Sequence, residues 1–102
     1  PMPTEYLLAS LASCYALAVA WAARKRGIDL PDLSVSAVGE YDGPGFSGFR
    51  LTVTSSLPED QLRPLLAPAS RHCYVSNTLS IKPTIEIHLA KDHEDHPDPE
   101  KP

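Results

Sequence analysis

Residues 5–26 form the most apolar stretch of the chain and predict one long helix. Apolar side chains recur there at helical spacing in two adjacent stripes, which together cover most of the circumference. A helix without a polar face cannot lie on a protein surface, so we expect the rest of the protein to pack around it. Cys14 lies near its middle, and Gly27 is the expected C-terminal cap.

Two later stretches alternate apolar and polar residues, as strands with one buried face do. They cover residues 33–41 and 46–55, and residues 42–45 (DGPG) between them are turn formers. We therefore predict an antiparallel hairpin. Residues 84–89 alternate in the same way and predict a final strand, so the expected sheet has about three strands.

A narrower helical pattern follows the hairpin and is interrupted by Pro64 and Pro68. An interior proline costs about 3 kcal/mol or more, so we predict a kinked helix, or two short ones, ending near His72. A further short helix is expected from Cys73 onward. The predicted fold class is therefore α+β, with a long buried central helix, a small antiparallel sheet and a second, proline-broken helix.

The last twelve residues differ in composition from the rest of the chain. Residues 91–102 (KDHEDHPDPEKP) have no apolar side chain apart from prolines and predict a disordered acidic tail, which leaves one domain over residues 1–90. His93 and His96 lie among acidic residues there, so loose metal binding is the alternative to a solvated tail. We expect neither a metal nor an organic cofactor.

Charge and cysteine content exclude several classes of function. The formal net charge of −4 argues against nucleic acid as a partner, because phosphate binding needs clustered positive charge. Two cysteines are too few for a disulfide-stapled secreted scaffold, which favours a cytoplasmic thiol pair. The apolar run 6–23 has the minimum length of a membrane span, but its many alanines and the lack of preceding basic residues favour a protein core.

The residues alone leave two interpretations of the cysteines open. Cys14 is either an inert core residue or a redox-active thiol. Cys73 is expected at the start of a short helix, where thiolates are favoured. One thiol would become a sulfenic acid and the other would condense with it, which requires Cα atoms within about 7 Å.

His72 either assists a thiolate as a cation or is a solvated helix-end residue, and Tyr15 and Trp21 are expected core aromatics.

The segments that contain the two cysteines resemble the cysteine motifs of the OsmC/Ohr family. They are PTEYLLASLASC (residues 3–14) and RHCYVSNTL (residues 71–79), and the hairpin EYDGPGFSGFRLTV (residues 40–53) between them has the order and spacing of that family. The resemblance spans residues 3–89. It implies an α+β fold in an intertwined homodimer, with the first helix at its centre.

The resemblance also implies thiol-dependent reduction of organic hydroperoxides. Cys14 matches the peroxidatic cysteine and Cys73 the resolving one, and thiols or lipoylated proteins would restore the reduced pair. Glu5 is a further candidate site residue, although it lies nine residues before Cys14, on the far side of a straight helix. Its alternative role is a first-turn acid that favours the helix dipole.

One departure from the family pattern bears on activity. The N-terminal strands of the family, which carry an arginine that activates the thiolate, have no counterpart in this sequence. We therefore expect a raised pKa for Cys14 in its apolar setting. The alternative function is a non-catalytic dimerisation or apolar-ligand-binding domain of the same fold.

Overall fold

The secondary structure follows the predicted order of a long helix, a hairpin and short helices. The computed structural model describes residues 2–90, so the acidic tail predicted for residues 91–102, including His93 and His96, lies outside the described residues. The elements are α1 (Pro3–Lys25), β1 (Ser34–Asp42), β2 (Gly45–Thr54), α2 (Glu59–Leu62), a 3₁₀ turn (Arg63–Leu65), α3 (Leu66–His72) and α4 (Tyr74–Ser80). The predicted α+β class is confirmed.

The predicted C-terminal cap of α1 is present at Gly27. This glycine has a φ of +66°, a backbone conformation that side chains with a Cβ rarely adopt. Its N–H donates to the carbonyl of Arg24 at 3.1 Å, and the N–H of Ile28 donates to the carbonyl of Ala23 at 2.9 Å. These two bonds form a Schellman motif, which turns the chain away from the helix and lets Ile28 pack on the core.

Helix α1 buries one face within the described chain. The buried positions recur at helical spacing and are Leu11, Tyr15, Ala18, Val19, Ala22 and Ala23. Other faces stay open, since Leu17 is 72% exposed. Within residues 2–90, α1 alone has the length and hydropathy of a membrane span, but core helices of soluble proteins share these properties. A third of the most apolar window of α1 is buried within the described residues.

Strands β1 and β2 form the predicted antiparallel hairpin. Their register pairs Val35 with Val53 near one end and Asp42 with Gly45 at the turn. Gly43, in the turn, has a φ of +62°, as tight hairpin turns require. Half-buried side chains alternate with exposed ones along β1, so one face of the hairpin packs towards α1.

A one-residue bulge in β2 is a feature that the alternation did not predict. Glu40 pairs with Gly48 and Tyr41 with Phe46, which leaves Ser47 as the extra residue. The hydroxyl group of Ser47 donates to the carbonyl of Glu40 at 3.2 Å. The bulge turns Phe46 inward over Gly39, where a Cβ atom would collide with the ring.

The second helix is broken at its prolines, as predicted. Pro64 lies in the 3₁₀ turn, and Pro68 is the third residue of α3, where a missing N–H leaves no intrahelical bond unmade. Helix α3 ends at His72, the expected position. Leu65 and Ala69 from this region are fully buried in the cluster that covers α1.

Residues 84–89 do not form the predicted final strand. The sheet of the described residues contains β1 and β2 only, and Ile85 and Ile87 are 81% and 91% exposed. An alternating segment becomes a strand only where a neighbouring strand supplies backbone partners. The described chain provides no such neighbour for this segment, so the prediction of about three strands is wrong and the sheet has two.

Candidate active site

The fold brings Cys14 and Cys73 together from positions far apart in the sequence. Cys14 lies near the middle of α1 and is half-buried, whereas Cys73 is fully buried in the core cluster against which Cys14 packs. Both cysteines are free thiols. The side chain of Cys73 acts as a hydrogen-bond partner of the Cys14 thiol. A partly accessible thiol thus lies beside an inaccessible one.

Cys73 occupies the single residue between α3 and α4. Its backbone is extended, with φ −84° and ψ 102°, so it ends one helix and caps the next. Its carbonyl accepts the N–H of Asn77 at 3.0 Å and the hydroxyl of Ser76 at 3.2 Å. The expectation that Cys73 begins a short helix is therefore confirmed.

The first peptide groups of α4 face the sulfur of Cys14 and lower the pKa of that thiol. The backbone N–H of Val75 makes the largest contribution, burial opposes it, and the Cys73 side chain and the N–H of Tyr74 lower the pKa further. Hydrogen bonds to a thiolate favour the charged form. The expectation of a raised pKa for Cys14 is therefore wrong, because these donors outweigh the apolar setting.

The helix start expected at Cys73 acts on the thiol of Cys14, which the family resemblance identifies as the peroxidatic cysteine. The peptide N–H groups of Tyr74 and Val75 lower the pKa of that thiol. Only the packing of α4 against α1 creates this contact, and no local motif encodes it.

None of the causes of the lowered Cys14 pKa involves a guanidinium group from the described residues. Arg50 lies 4.0 Å from Glu40, Arg63 pairs with Glu59, and the side chain of Arg26 bonds to a carbonyl of its own helix. These arginines therefore serve the hairpin, α2 and α1. Among residues 2–90, the groups that lower the pKa of the Cys14 thiol are two peptide N–H groups and the Cys73 side chain.

Glu5 makes a helix-capping contact in the described structure. Its carboxylate accepts a hydrogen bond from the backbone N–H of Met2 at 2.9 Å, and the side chain is exposed. This bond satisfies one of the N-terminal donors of α1. The geometry corresponds to the capping alternative, and the role of Glu5 in a reaction stays a prediction.

The two described histidines lie in different environments. The ring of His72 packs against Trp21, with ring centroids 4.2 Å apart, so this histidine is held by an aromatic contact as well as by its place at the end of α3. His88 lies 3.1 Å from the carboxylate of Glu86. Among residues 2–90, no group of three acidic, histidine or cysteine side chains is arranged to hold a metal ion.

An open groove runs along β2 next to α4. Its volume is about 350 Å³, and its walls combine apolar side chains with three serines: Leu11, Phe46, Phe49, Leu51 and Leu79 with Ser47, Ser76 and Ser80. Leu11 lies one helical turn before Cys14 on α1. Tyr15 is buried, as expected for a core aromatic, and also borders an adjoining part of the groove.

A family model described as "OsmC-like protein" matches residues 1–88 of the chain. This match covers both cysteines, the hairpin between them and every described helix. The chain belongs to the OsmC-like protein family. The resemblance inferred from the two cysteine motifs is thereby confirmed, and the arrangement of α1, the hairpin and α4 is the OsmC fold.

Solved OsmC-like structures show the same fold. An organic hydroperoxide resistance protein OsmC from Legionella pneumophila is 26% identical, with a TM-score of 0.66 over 76% of this chain and 60% of that one. An OsmC-like hydroperoxide resistance protein from Jannaschia sp. is 23% identical, with a TM-score of 0.69 over 87% of this chain and 66% of that one. An OsmC-like protein from Mycoplasma pneumoniae is 22% identical, with a TM-score of 0.66 over 76% of this chain and 61% of that one.

The chain therefore spans about three fifths to two thirds of the length of these OsmC-like relatives. Comparison with curated protein sequences gave no match.

Proposed function

We propose that this chain reduces organic hydroperoxides through Cys14 and Cys73, as a homodimer in the cytoplasm. The observation that carries the proposal is the environment of Cys14. Cys14 is half-buried, the peptide N–H groups of Val75 and Tyr74 lower the pKa of its thiol, and Cys73 beside it is a second free thiol. A partly accessible, low-pKa thiol next to a resolving thiol is the arrangement that peroxide-reactive cysteines need.

The proposed reaction has two steps. The Cys14 thiolate attacks an oxygen of the hydroperoxide, the O–O bond breaks, and Cys14 becomes a sulfenic acid while the substrate leaves as an alcohol after taking up a proton. The Cys73 thiol then attacks the oxidised sulfur, an S–S bond replaces the S–O bond, and water leaves. A dithiol or a lipoylated protein returns the two electrons by thiol–disulfide exchange.

Exposed apolar side chains support the homodimer. Those of α1 and the C-terminal segment include Tyr6, Leu17, Ile85 and Ile87. Soluble monomers rarely leave contiguous apolar patches larger than a few hundred Å² in water, and a second copy would cover this surface. Light scattering on the purified chain should give twice the mass of one chain; a monomeric mass across the micromolar range would contradict the dimer.

Organic rather than inorganic peroxide is favoured by the leucine and phenylalanine side chains that line part of the groove beside Leu11. Transfer of an apolar substituent from water to such walls is favourable, whereas hydrogen peroxide has no apolar substituent to transfer. We therefore expect cumene hydroperoxide to react faster than hydrogen peroxide under identical conditions. Equal rates with the two oxidants would contradict this part of the proposal.

The decisive experiment counts thiols after cumene hydroperoxide is added to the fully reduced chain. Both thiols should disappear, and mass spectrometry of the unreduced digest should show a Cys14–Cys73 bridge. In Cys73→Ser, dimedone should trap a sulfenic acid on Cys14, and Cys14→Ser should retain its remaining thiol. Retention of both thiols at excess peroxide would contradict the proposal.

A non-catalytic domain that binds an apolar ligand is the second candidate function. Two observations favour it: no described guanidinium group stabilises the Cys14 thiolate, and the groove is large enough for a small apolar molecule. This function predicts that Cys14→Ser binds a fluorescent apolar probe as tightly as the parent chain. Probe binding together with inertness towards peroxide would identify this second function.

A further inference from the structure

The contact between His72 and Trp21 lies close to the two cysteines and has no part in the proposed chemistry. The ring centroids are 4.2 Å apart and the rings are inclined by 50°. The ammonium group of Lys25 lies over the ring of Trp21, 5.7 Å from the ring centroid. Aromatic pairs at this separation attract each other beyond the effect of the area that they bury.

This aromatic contact is aligned with the contact between the cysteines. Cys14 and Trp21 are seven residues apart on α1, which places them about 20° apart on the same side of the helix and about 10 Å apart along its axis. His72 and Cys73 are consecutive residues at the end of α3. Two neighbouring contacts therefore hold the same short piece of chain against α1.

These two contacts hold the junction between α3 and α4, which has few capping hydrogen bonds of its own. Cys73 is extended between two helices of seven residues each, and its side chain supplies no capping hydrogen bond. Within α3 and α4, the Asn77 amide group bonds to the carbonyl of Arg71 at 3.1 Å and fixes the two helices relative to each other. The His72–Trp21 contact adds a link from this junction to α1.

We infer that His72 is a positioning residue, which packs on Trp21 and thereby holds the α3–α4 junction so that Cys73 and the first peptide groups of α4 face Cys14. The inference deepens the proposed function, because it states what sets the geometry of the thiol pair. It does not require that hydroperoxide be the physiological oxidant. The imidazole ring acts through its shape and aromatic face, and a proton transfer is not involved.

The test uses diamide, which oxidises neighbouring thiols without a peroxide. One thiol adds across the N=N bond and forms an S–N bond. The second thiol then attacks that sulfur, the S–N bond breaks as the disulfide forms, and diamide leaves as the hydrazine, having taken up two electrons and two protons. The rate of Cys14–Cys73 bridging is measured in the full chain and in His72→Ala, His72→Phe and His88→Ala. The last variant is the control, since His88 lies with Glu86 in the C-terminal segment.

We expect His72→Ala to bridge about threefold to tenfold more slowly than the parent, as loss of an aromatic pair predicts. His72→Phe, which restores a ring without a titratable group, should return to within about twofold, and His88→Ala should match the parent. The emission of Trp21, the single tryptophan of the chain, should change in His72→Ala, which reports loss of the contact directly. Unchanged bridging in His72→Ala, or equal slowing in His72→Phe, would overturn the inference.

The two proposals fail in distinguishable ways. If cumene hydroperoxide leaves both thiols intact while diamide bridging depends on the ring at position 72, the hydroperoxide function is wrong and His72 still positions the junction. If hydroperoxide bridges the pair equally well with and without that ring, the function stands and the positioning role is wrong.

Discussion

The backbone N–H of Val75, in α4, is the largest cause of the lowered pKa of the Cys14 thiol, in α1. The two residues belong to different helices, and Cys73 between α3 and α4 lets the start of α4 approach α1. Peptide donors are fixed by the backbone and require no side-chain charge. They therefore stabilise a thiolate in a setting that is otherwise apolar.

The first prediction concerns the pH dependence of Cys14 reactivity. Because the folded-state pKa is lowered, the thiolate forms at a lower pH than in an unfolded chain, whose reference value is 9.0. The rate of iodoacetamide alkylation at Cys14, followed by peptide mass spectrometry, should rise with pH to a midpoint below 9.0. A midpoint at or above that value would show that burial prevails over the peptide donors.

A matched pair of variants separates the Cys73 side chain from the peptide groups. Cys73→Ala removes one hydrogen-bond donor and should move the Cys14 midpoint upward. Cys73→Ser keeps a hydroxyl donor at the same place, so its midpoint should stay below that of Cys73→Ala. Both variants retain the larger effect of Val75, so neither should reach the midpoint of the denatured chain.

Elements with strong local signals could be predicted from the sequence. The long helix was predicted from apolar spacing and its end from Gly27, because a capping glycine acts within one turn. The hairpin followed from period-two alternation around a turn, and the break before α3 followed from Pro64. Cys14 and Cys73 form a candidate pair because the sequence has no third cysteine, and the family resemblance supplied the peroxidatic and resolving roles.

Features that depend on tertiary packing could not be predicted. The pKa of Cys14 was predicted to rise because only its own apolar helix was visible, whereas the donors that lower it come from α4. Residues 84–89 have the alternation of a strand, but alternation does not reveal whether a neighbouring strand exists. The bulge at Ser47 depends on how Phe46 packs over Gly39, which is likewise invisible in the pattern.

The hydroxyl group of Tyr15 ties α1 to α3 and gives a prediction about stability. It donates to the carbonyl of Leu66 at 3.2 Å and shares a hydrogen bond of 2.9 Å with the hydroxyl of Ser70. Tyr15→Phe removes both bonds while keeping the ring, so the free energy of unfolding should fall by about 1 kcal/mol. Urea denaturation of the reduced chain at fixed protein concentration measures this change.

Tyr74→Phe is the matched control for this measurement. The side chain of Tyr74 is 82% exposed, so loss of its hydroxyl group should change the free energy of unfolding by less than about 0.5 kcal/mol. Equal losses in Tyr15→Phe and Tyr74→Phe would show that the bonds to Leu66 and Ser70 contribute no net stability.

Asp32, in the connector between α1 and β1, accepts hydrogen bonds from the residues that follow β2. These bonds predict a contribution to stability that is lost in acid. The Asp32 carboxylate accepts the N–H of Ser56 at 2.7 Å and the hydroxyls of Ser56 and Ser55 at 2.9 and 3.1 Å. The N–H of Ser56, then the two hydroxyl groups, hold the pKa of Asp32 below the ordinary value of 3.8. A depressed folded-state pKa stabilises the fold above pH 3.8, and this contribution is lost as the pH falls through the lowered value.

Urea denaturation of the parent and of Asp32→Asn as a function of pH tests this contribution. At neutral pH the variant should have the lower urea midpoint, and the difference should shrink as the pH falls below 3.8. Asp29→Asn, in the same connector, is the control for loss of a nearby carboxylate, because the bonds to Ser55 and Ser56 are made by Asp32. A constant difference between parent and Asp32→Asn at every pH would rule out the carboxylate as its source.

The last prediction tests the packing at the bulge of the hairpin. A Cβ atom at Gly39 would overlap the ring of Phe46, which stacks on Tyr41 at 4.7 Å and contacts Phe49 at 5.0 Å between ring centroids. Gly39→Ala forces the Phe46 ring to move and disturbs both aromatic contacts, so the free energy of unfolding should fall by about 1–3 kcal/mol. Gly45→Ala, in the same hairpin with open space around its Cβ position, should cost less than about 0.5 kcal/mol. If both variants unfold at the same urea concentration as the parent, the ring of Phe46 has room to shift freely, and Gly39 is present for a reason other than close packing.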